Sequence, residues 1–312
     1  MQAVNASEHK PVPRAGYVAL VGRPNVGKST LLNALLGEKL SIVTPRAQTT
    51  REAVTGIRTA GHAQLIFVDT PGLVEAGYLL HRSMLHAART ALAGADVVLV
   101  ILDATRPAEV PAPEITALLQ SKRDRLSVVI NKIDAGTSDA VRALTSWSAR
   151  ELSVQPGLIS ATAGSGLDVL LDQLVALLPE GPFLFPDEEL AVQPVRFFVE
   201  ELIRETIFEQ YEQEVPYATA VRTEEYRENA DPLYIRAFIY VERVSQKAIL
   251  IGQGGARIKA LGAASREKIE KFVGQRVYLD LWVKTLPGWR RKAGSLKYLG
   301  YALPPEERVP AG

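Results

Sequence analysis

Gly22-Arg23-Pro24-Asn25-Val26-Gly27-Lys28-Ser29-Thr30 reads as glycine, four residues, then Gly-Lys-Ser. It follows an apolar run, Tyr17-Val18-Ala19-Leu20-Val21, and opens another, Leu31-Leu32-Asn33-Ala34-Leu35-Leu36. Strand, loop and helix in that order turn a pattern into a mechanism. Backbone N–H groups of such a loop wrap an anion, and the helix N-terminus adds its positive end. Glycines let the backbone approach phosphates where a Cβ would clash. Lys28 is expected between the β- and γ-phosphates of a nucleotide, and the Ser29 hydroxyl on Mg²⁺.

The downstream sequence supplies what a phosphate loop needs. Ser41 to Arg51 is polar and contains Gln48-Thr49-Thr50-Arg51. A threonine here reaches Mg²⁺ only while a γ-phosphate is bound, so the stretch is expected to act as a switch. The apolar strand Gln64 to Val68 ends in Asp69-Thr70-Pro71-Gly72. Asp69 is placed to hold Mg²⁺ through water, and the Gly72 N–H to sense the γ-phosphate. The next residue is Leu73, where Ras-like enzymes carry a water-orienting Gln. Leucine cannot orient water, so no catalytic side chain is assigned and slow intrinsic hydrolysis is expected. Asn25 either offers its side-chain oxygen to a monovalent cation such as K⁺ or is simply favoured by the turn.

Further strands, Val97 to Leu102 and Leu126 to Ile130, are apolar throughout and alternate with helical stretches. That pattern predicts a mostly parallel sheet with helices on both faces and a ligand at the carboxyl ends of its strands. At one such end stands Asn131-Lys132-Ile133-Asp134. The Asp134 carboxylate can accept from guanine N1–H and the 2-amino group together, and adenine offers neither donor. Sites of this type discriminate by about 10⁴ or more. Asn131 is expected to tie loops together, and the Lys132 stem to pack on the base. Ser160-Ala161-Thr162 is expected to reach the base through its backbone.

Residues 180–194 hold several prolines and mark a linker. Beyond it the order becomes helix (Arg196 to Glu214), two strands (Tyr217 to Arg222 and Leu233 to Glu242), two helices and a last strand (Val277 to Lys284). In the first helix Val199, Leu202, Ile203 and Ile207 share one face, and Glu200, Glu201, Glu205 and Glu209 are expected on the other. Between the last two helices lies Ile251-Gly252-Gln253-Gly254-Gly255-Ala256-Arg257-Ile258-Lys259. This is the arrangement of a type II KH domain, whose Gly-x-x-Gly loop clamps single-stranded nucleic acid. Gly252, Gln253, Gly254 and Gly255 would form the clamp, Ile251 and Ile258 an apolar groove, and Arg257 and Lys259, with Arg266 and Lys268, the charge. Leu286 to Lys292 adds three cations and Trp289, either against phosphates or as a solvated run.

Composition sets the outer limits. The 312 residues suggest roughly two domains of about 150 residues each. Net charge is +1, but unevenly spread. Glu180 to Asp231 holds 14 acidic residues against 4 Arg, and Arg236 to Tyr301 holds 14 basic against 4 acidic. The later part therefore reads as a basic surface for an anion. With no cysteine, disulfides and Cys-based zinc sites are excluded. The four His have no metal spacing. Residues 1–15 lack the apolar core of a signal peptide, and no apolar run approaches the ~18 residues of a membrane span, so a soluble, cytoplasmic protein is expected.

Both motif sets together resemble the Era family of bacterial GTPases from about Tyr17 to Tyr301: Gly-Arg-Pro-Asn-Val-Gly-Lys-Ser-Thr, Gln-Thr-Thr-Arg, Asp-Thr-Pro-Gly, Asn-Lys-Ile-Asp, Ile-Gly-Gln-Gly-Gly-Ala-Arg-Ile-Lys and Leu-Trp-Val-Lys. The resemblance implies a P-loop GTPase domain over 16–179 and a KH domain over 195–301, between a tail at 1–15 and another at 302–312. It implies GTP hydrolysis with GTP/GDP and Mg²⁺, the 3′ end of small-subunit ribosomal RNA as ligand, and a part in small-subunit assembly. It places the switch role on Thr50, with Thr49 as the second candidate, and agrees with Leu73 as a family without the catalytic Gln. Gly254-Gly255 is an extra glycine-rich step, and residues 303–312 carry no assigned role. A monomer is expected. Two rival readings remain at this point: an RNA-binding chaperone with a structural nucleotide site, and a GTPase peripheral to the inner face of the membrane.

Overall fold

The computed structural model describes residues 12–44, 46, 49–72 and 77–305. Leu73, and Pro45, Ala47 and Gln48 of the expected switch, lie outside the described residues.

The first domain is a six-stranded sheet in the order β2-β3-β1-β4-β5-β6. Its strands are β1 (Arg14–Val21), β2 (Val54–Ala60), β3 (Ala63–Asp69), β4 (Val97–Asp103), β5 (Leu126–Asn131) and β6 (Gly157–Leu158). Only β2 runs antiparallel, paired with β3. The helices are α1 (Lys28–Leu36), α2 (Leu79–Gly94), α3 (Pro113–Gln120), α4 (Ser138–Glu151) and α5 (Leu167–Leu177). β4 is buried at all seven positions, as a central strand covered on both faces must be. Successive residues alternate between two apolar cores. Val18, Leu20, Leu99 and Ile101 face one core, and Ala19, Val21, Val98 and Val100 the other. α4 has no counterpart among the expected elements. Thr137 caps it by accepting from the Ala140 N–H, and Ala140, Val141, Leu144 and Trp147 form its apolar stripe within an otherwise polar stretch.

Residues 180–194 do not hang free. Gln64, fully buried in β3, accepts from the Leu184 and Phe185 N–H groups and donates to the Phe185 carbonyl. Further on, the Ile57 N–H donates to the Leu190 carbonyl and the Val192 N–H to that of Thr55, extending the β2 edge.

The second domain comprises α6 (Val195–Gln210), α7 (Val215–Ala218), β7 (Ala220–Arg227), β8 (Leu233–Val241), α8 (Val244–Ile251), α9 (Ala256–Val273), β9 (Val277–Thr285) and α10 (Ala293–Tyr298). β8 is central, antiparallel to β7 and parallel to β9. Leu233, Ile235, Ala237, Ile239 and Val241 face the core under α6, α8 and α9, as the alternation predicts.

Several expectations are corrected. Tyr217 to Thr219 is not strand, because Pro216 sits in the short α7 and β7 begins at Ala220. α6 stops at Gln210, not Glu214. Glu205 is buried rather than solvated, and it ion-pairs with Lys39 at 2.8 Å and Lys268 at 2.9 Å. Lys268, which also holds Glu209 at 2.7 Å, is therefore spent inside the fold. Trp289 is fully buried, donating from Nε1 to the Ala218 carbonyl at 2.9 Å. Among the described residues no helix is long and apolar enough to cross a membrane.

Candidate functional site

A cavity of about 420 Å³ opens at the carboxyl ends of β1 and β3, lined by Pro24, Asn25, Gly27 to Thr30, residues 42–44, Arg46, Thr49, Thr50, Gly72, Arg106 and Lys132. The loop between β1 and α1 holds its shape through two left-handed residues, Asn25 (φ 65°) and Gly27 (φ 98°). A Cβ on Gly27 would meet Asn131 Nδ2 at 2.4 Å, and one on Gly22 the Ile101 carbonyl oxygen at 2.6 Å. The close approach that the pattern calls for is thus enforced from β4 and β5. Val26 is buried, Arg23 turns outward to the Val110 carbonyl at 3.4 Å, and α1 begins at Lys28 without a side-chain cap. Its first N–H groups are then available to an anion.

Lys28 Nζ donates to the carbonyls of Gly22 (3.2 Å) and Arg23 (3.1 Å). Burial lowers its pKa to about 8, against the opposing pull of Asp69. Phosphate oxygens restore the charged form, so above pH 8 nucleotide binding must take up a proton. GDP affinity is expected to fall by up to about tenfold per unit as pH rises from 8 toward 9. Fluorescence titrations from pH 7 to 9 test this, and a flat profile would mean that Lys28 is charged throughout.

Beside it three oxygens converge. The Ser29 hydroxyl donates to Asp69 Oδ2 at 2.6 Å, lies 3.0 Å from Thr50 Oγ1, and Thr50 reaches the same Oδ2 at 3.4 Å. Asp69 Oδ1 is buried with no hydrogen-bond partner among the described residues, and burial raises the pKa of this carboxyl. A desolvated carboxylate whose Oδ2 meets two hydroxyls while its Oδ1 stays unpaired is a donor set that fits a hard cation such as Mg²⁺. Thr49 takes no part in it, because its hydroxyl donates to the Arg46 carbonyl at 2.8 Å. Thr70 donates to the Leu20 carbonyl at 2.7 Å, bracing the β3 end, and Pro71 is buried. Gly72 lies so close to the loop that a Cβ would sit 2.8 Å from the Pro24 ring.

The base end is assembled by Asn131. Its Nδ2 donates to the Val26 carbonyl, and its Oδ1 accepts from the Ala161 N–H, both at 2.9 Å. One amide therefore ties the phosphate loop to Ser160-Ala161-Thr162. Lys132 (φ 61°) donates to the Asn25 carbonyl and to Asp103 Oδ2, both at 2.6 Å. Asp103, the last residue of β4, was not singled out from sequence, although a strand-terminal acid was the available signal. Arg106 on the cavity wall was also missed. Asp134 is exposed, as are Thr162 and the turn that follows, while Ser160 and Ala161 are buried.

The clamp loop lies in the other domain. Gly252 (φ 72°, ψ 175°), Gly254 (φ 57°) and Gly255 (φ 80°) all adopt conformations that favour glycine. A Cβ on Gly252 would fall 2.7–2.9 Å from the Arg257 side chain. Gln253, Arg257 and Lys259 are exposed, and Ile251 and Ile258 are half-buried against the core.

The two domains meet through the switch itself. Arg51 is 5% exposed, and its guanidinium donates to the carbonyls of Thr219 (2.6 Å), Tyr217 (3.1 Å) and Pro216 (3.2 Å) over the Trp289 ring. Arg204 of α6 donates to the Thr49 carbonyl, and Arg46 to that of Tyr211. Leu79, Leu80 and Met84 of α2 pack with Trp289, Leu296 and Tyr301. Nothing in the sequence pattern pointed to these contacts.

Similarity to known proteins covers both domains. The profile described as "50S ribosome-binding GTPase" matches residues 17–132, and that of the KH domain residues 214–290. The chain is 41% identical to GTPase Era of Halothermothrix orenii, over 92% of this chain and 98% of that one. It is 42% identical to GTPase Era of Thermotoga maritima, over 89% and 94%. Two crystal structures superpose with TM-score 0.86 at 39% identity, covering 93% of this chain and all of theirs. One is an Aquifex aeolicus Era variant bound to GDP·AlF4⁻, and the other is Era with MgGDPNP and nucleotides 1506–1542 of 16S ribosomal RNA.

Proposed function

The chain belongs to the Era family of GTPases, and from that membership we propose a GTP-driven switch that binds the 3′ end of small-subunit ribosomal RNA and assists assembly of the small subunit. It is a GTPase, converting GTP to GDP and phosphate. One matching family description names the 50S particle, but over the first domain alone. The 16S RNA complex belongs to a relative that spans both domains, which favours the small subunit.

In this reading the loop N–H groups and Lys28 hold the β- and γ-phosphates. Ser29, Thr50 and, through water, Asp69 hold Mg²⁺, which would neutralise charge on the transferring phosphoryl group. Asn25, on the cavity rim, offers its oxygen to K⁺. Asp134 reads guanine. With Leu73 after Gly72, intrinsic turnover is slow. The clamp Gly252–Gly255, with Ile251, Ile258, Arg257 and Lys259, grips the RNA backbone and bases. The protein works as a cytoplasmic monomer.

The observation that carries the reading is the position of Thr50. It touches Asp69 and Ser29, while both chain neighbours bond to the RNA-binding domain. A γ-phosphate that orders Thr50 therefore acts on that domain's footing. The test is fluorescence anisotropy with a short RNA from the 3′ end of 16S ribosomal RNA, with GDP and with a non-hydrolysable GTP analogue. Tighter binding in the GTP state is expected, and indifference to nucleotide would sink the coupling. In the same assay Gly252→Asp is expected to weaken binding more than tenfold. A side chain there is strained, strikes Arg257 and adds a charge facing phosphate. Undiminished affinity would remove the clamp assignment.

A further inference from the structure

We infer a second RNA-contact surface in this protein, on the face of the β7-β8-β9 sheet turned away from the clamp helices. The inference rests on the RNA-binding reading above. That face carries an aromatic ladder whose β9 rings, Tyr278 and Trp282, stay open among the described residues. Tyr278 and Trp282 of β9 are 59% and 55% exposed, unusual for rings of that size. Tyr278 pairs across the sheet with Tyr234, the rings stacked with centroids 5.7 Å apart and 11° between planes. Trp282 pairs with Phe238, and Lys284 Nζ stands 3.3 Å from the centre of the Phe238 ring. At the other end of the face Tyr240 is buried beneath Tyr298 of α10, so the open part is the Tyr278–Trp282 end.

The rings are held in place. Asp280, between Tyr278 and Trp282, accepts from Arg236 Nε at 2.8 Å and from the Tyr234 hydroxyl at 3.1 Å. Arg236 in turn donates to that hydroxyl at 2.6 Å. Fixed rings lose little entropy when a flat partner lies on them. Lys284 is exposed and makes no ion pair among the described residues, and its ammonium, seated over the Phe238 ring, presents its charge to a phosphate on this face.

Three observations commit the face to single-stranded RNA. Successive same-face positions on β9 advance about 6.6 Å, so Tyr278 and Trp282 stand roughly 13 Å apart. One base cannot cover both, whereas an extended strand can stack a base on each. The surface is also continuous with the clamp. β9 is the edge strand of its sheet, and Leu279 and Leu281 on its other side pack against the same core as Ile251 and Ile258 of the groove. A strand leaving the groove meets Tyr278 and Trp282 on crossing that edge. Finally, a KH clamp holds about four nucleotides. The RNA in the related Era complex spans nucleotides 1506–1542, far more than such a clamp accounts for.

The experiment compares two RNAs on the full chain: nucleotides 1506–1542, and a fragment of about six nucleotides that only fills the clamp. Tyr278→Ala and Trp282→Ala are each expected to weaken the long RNA about tenfold and leave the short one unchanged. Trp282→Phe keeps a ring, so affinity should largely persist while RNA-induced quenching of tryptophan emission is lost. Unchanged GDP binding and circular dichroism control for folding. If the ring variants bind the long RNA like the parent while Gly252→Asp weakens both RNAs, the sheet proposal is overturned and the clamp stands. Undiminished binding of the short RNA by Gly252→Asp overturns the clamp reading instead. Ring variants that bind both RNAs normally but fail to bind small subunits would assign the face to a ribosomal protein and overturn the RNA proposal.

Discussion

Asp134→Asn is expected to lower the GTP-over-ATP preference by about 10³-fold or more, with no change in fold. The carboxylate accepts two hydrogen bonds from guanine, whereas an amide accepts one and turns its NH₂ toward a guanine donor. The structure strengthens the argument that folding is untouched. Asp134 is exposed, and the frame that positions it depends on Asn131, Lys132 and Asp103. Only the bound base desolvates the carboxylate, so its pairing energy goes into selectivity rather than into stability. The same hydrogen-bond pattern predicts that a base with a carbonyl at position 2, as in xanthine, regains affinity in the variant. Competition between labelled GDP and ATP, GTP or XTP measures both effects. An unchanged GTP/ATP ratio would remove Asp134 from base recognition.

Arg51→Ala is expected to abolish the difference in RNA affinity between the GDP and GTP-analogue states. The buried guanidinium meets three carbonyls of the second domain, so truncation leaves acceptors and a hole where the domains meet. Each stranded polar group costs about 1–3 kcal/mol. A loss near 3 kcal/mol would shift docking more than a hundredfold. The Thr219 hydroxyl still bonds the Pro216 carbonyl at 2.9 Å, so Tyr217 and Thr219 bear most of the loss. The phosphate loop is untouched, and GDP affinity should be largely kept. Arg51→Lys offers one donor direction in place of the fork, and should recover little. RNA titrations in both nucleotide states, beside hydrogen exchange over residues 215–219, check this. A variant that kept the parent's ratio would show that the nucleotide signal travels by another route.

The carboxylate and hydroxyl chemistry of the nucleotide site was legible in the chain because it is local. Phosphate loop, Asp69 and Asn131-Lys132-Ile133-Asp134 each occupy a strand end, and the strand pattern alone brings strand ends together. Choosing between Thr49 and Thr50 was already harder, and the hydrogen bonds place only Thr50 beside Asp69. α4 escaped because polar residues outnumber apolar ones along Ser138–Glu151, although Ala140, Val141, Leu144 and Trp147 keep a helical period.

The sequence by itself determined two domains, their order, the alternating face of β8 and the glycines that no other residue could replace. Those follow from short-range rules: period, turn chemistry and steric exclusion by a Cβ. Only the tertiary structure decided which charges are spent and where the domains touch. Glu205 and Lys268 read as exposed charges, Trp289 as part of a basic run, and Arg51 and Arg204 drew no reading of their own, yet all five are drawn in by partners up to 168 positions away. Burial of a polar side chain depends on whether a distant segment satisfies it, and that information lies in the packing rather than in any neighbouring residue.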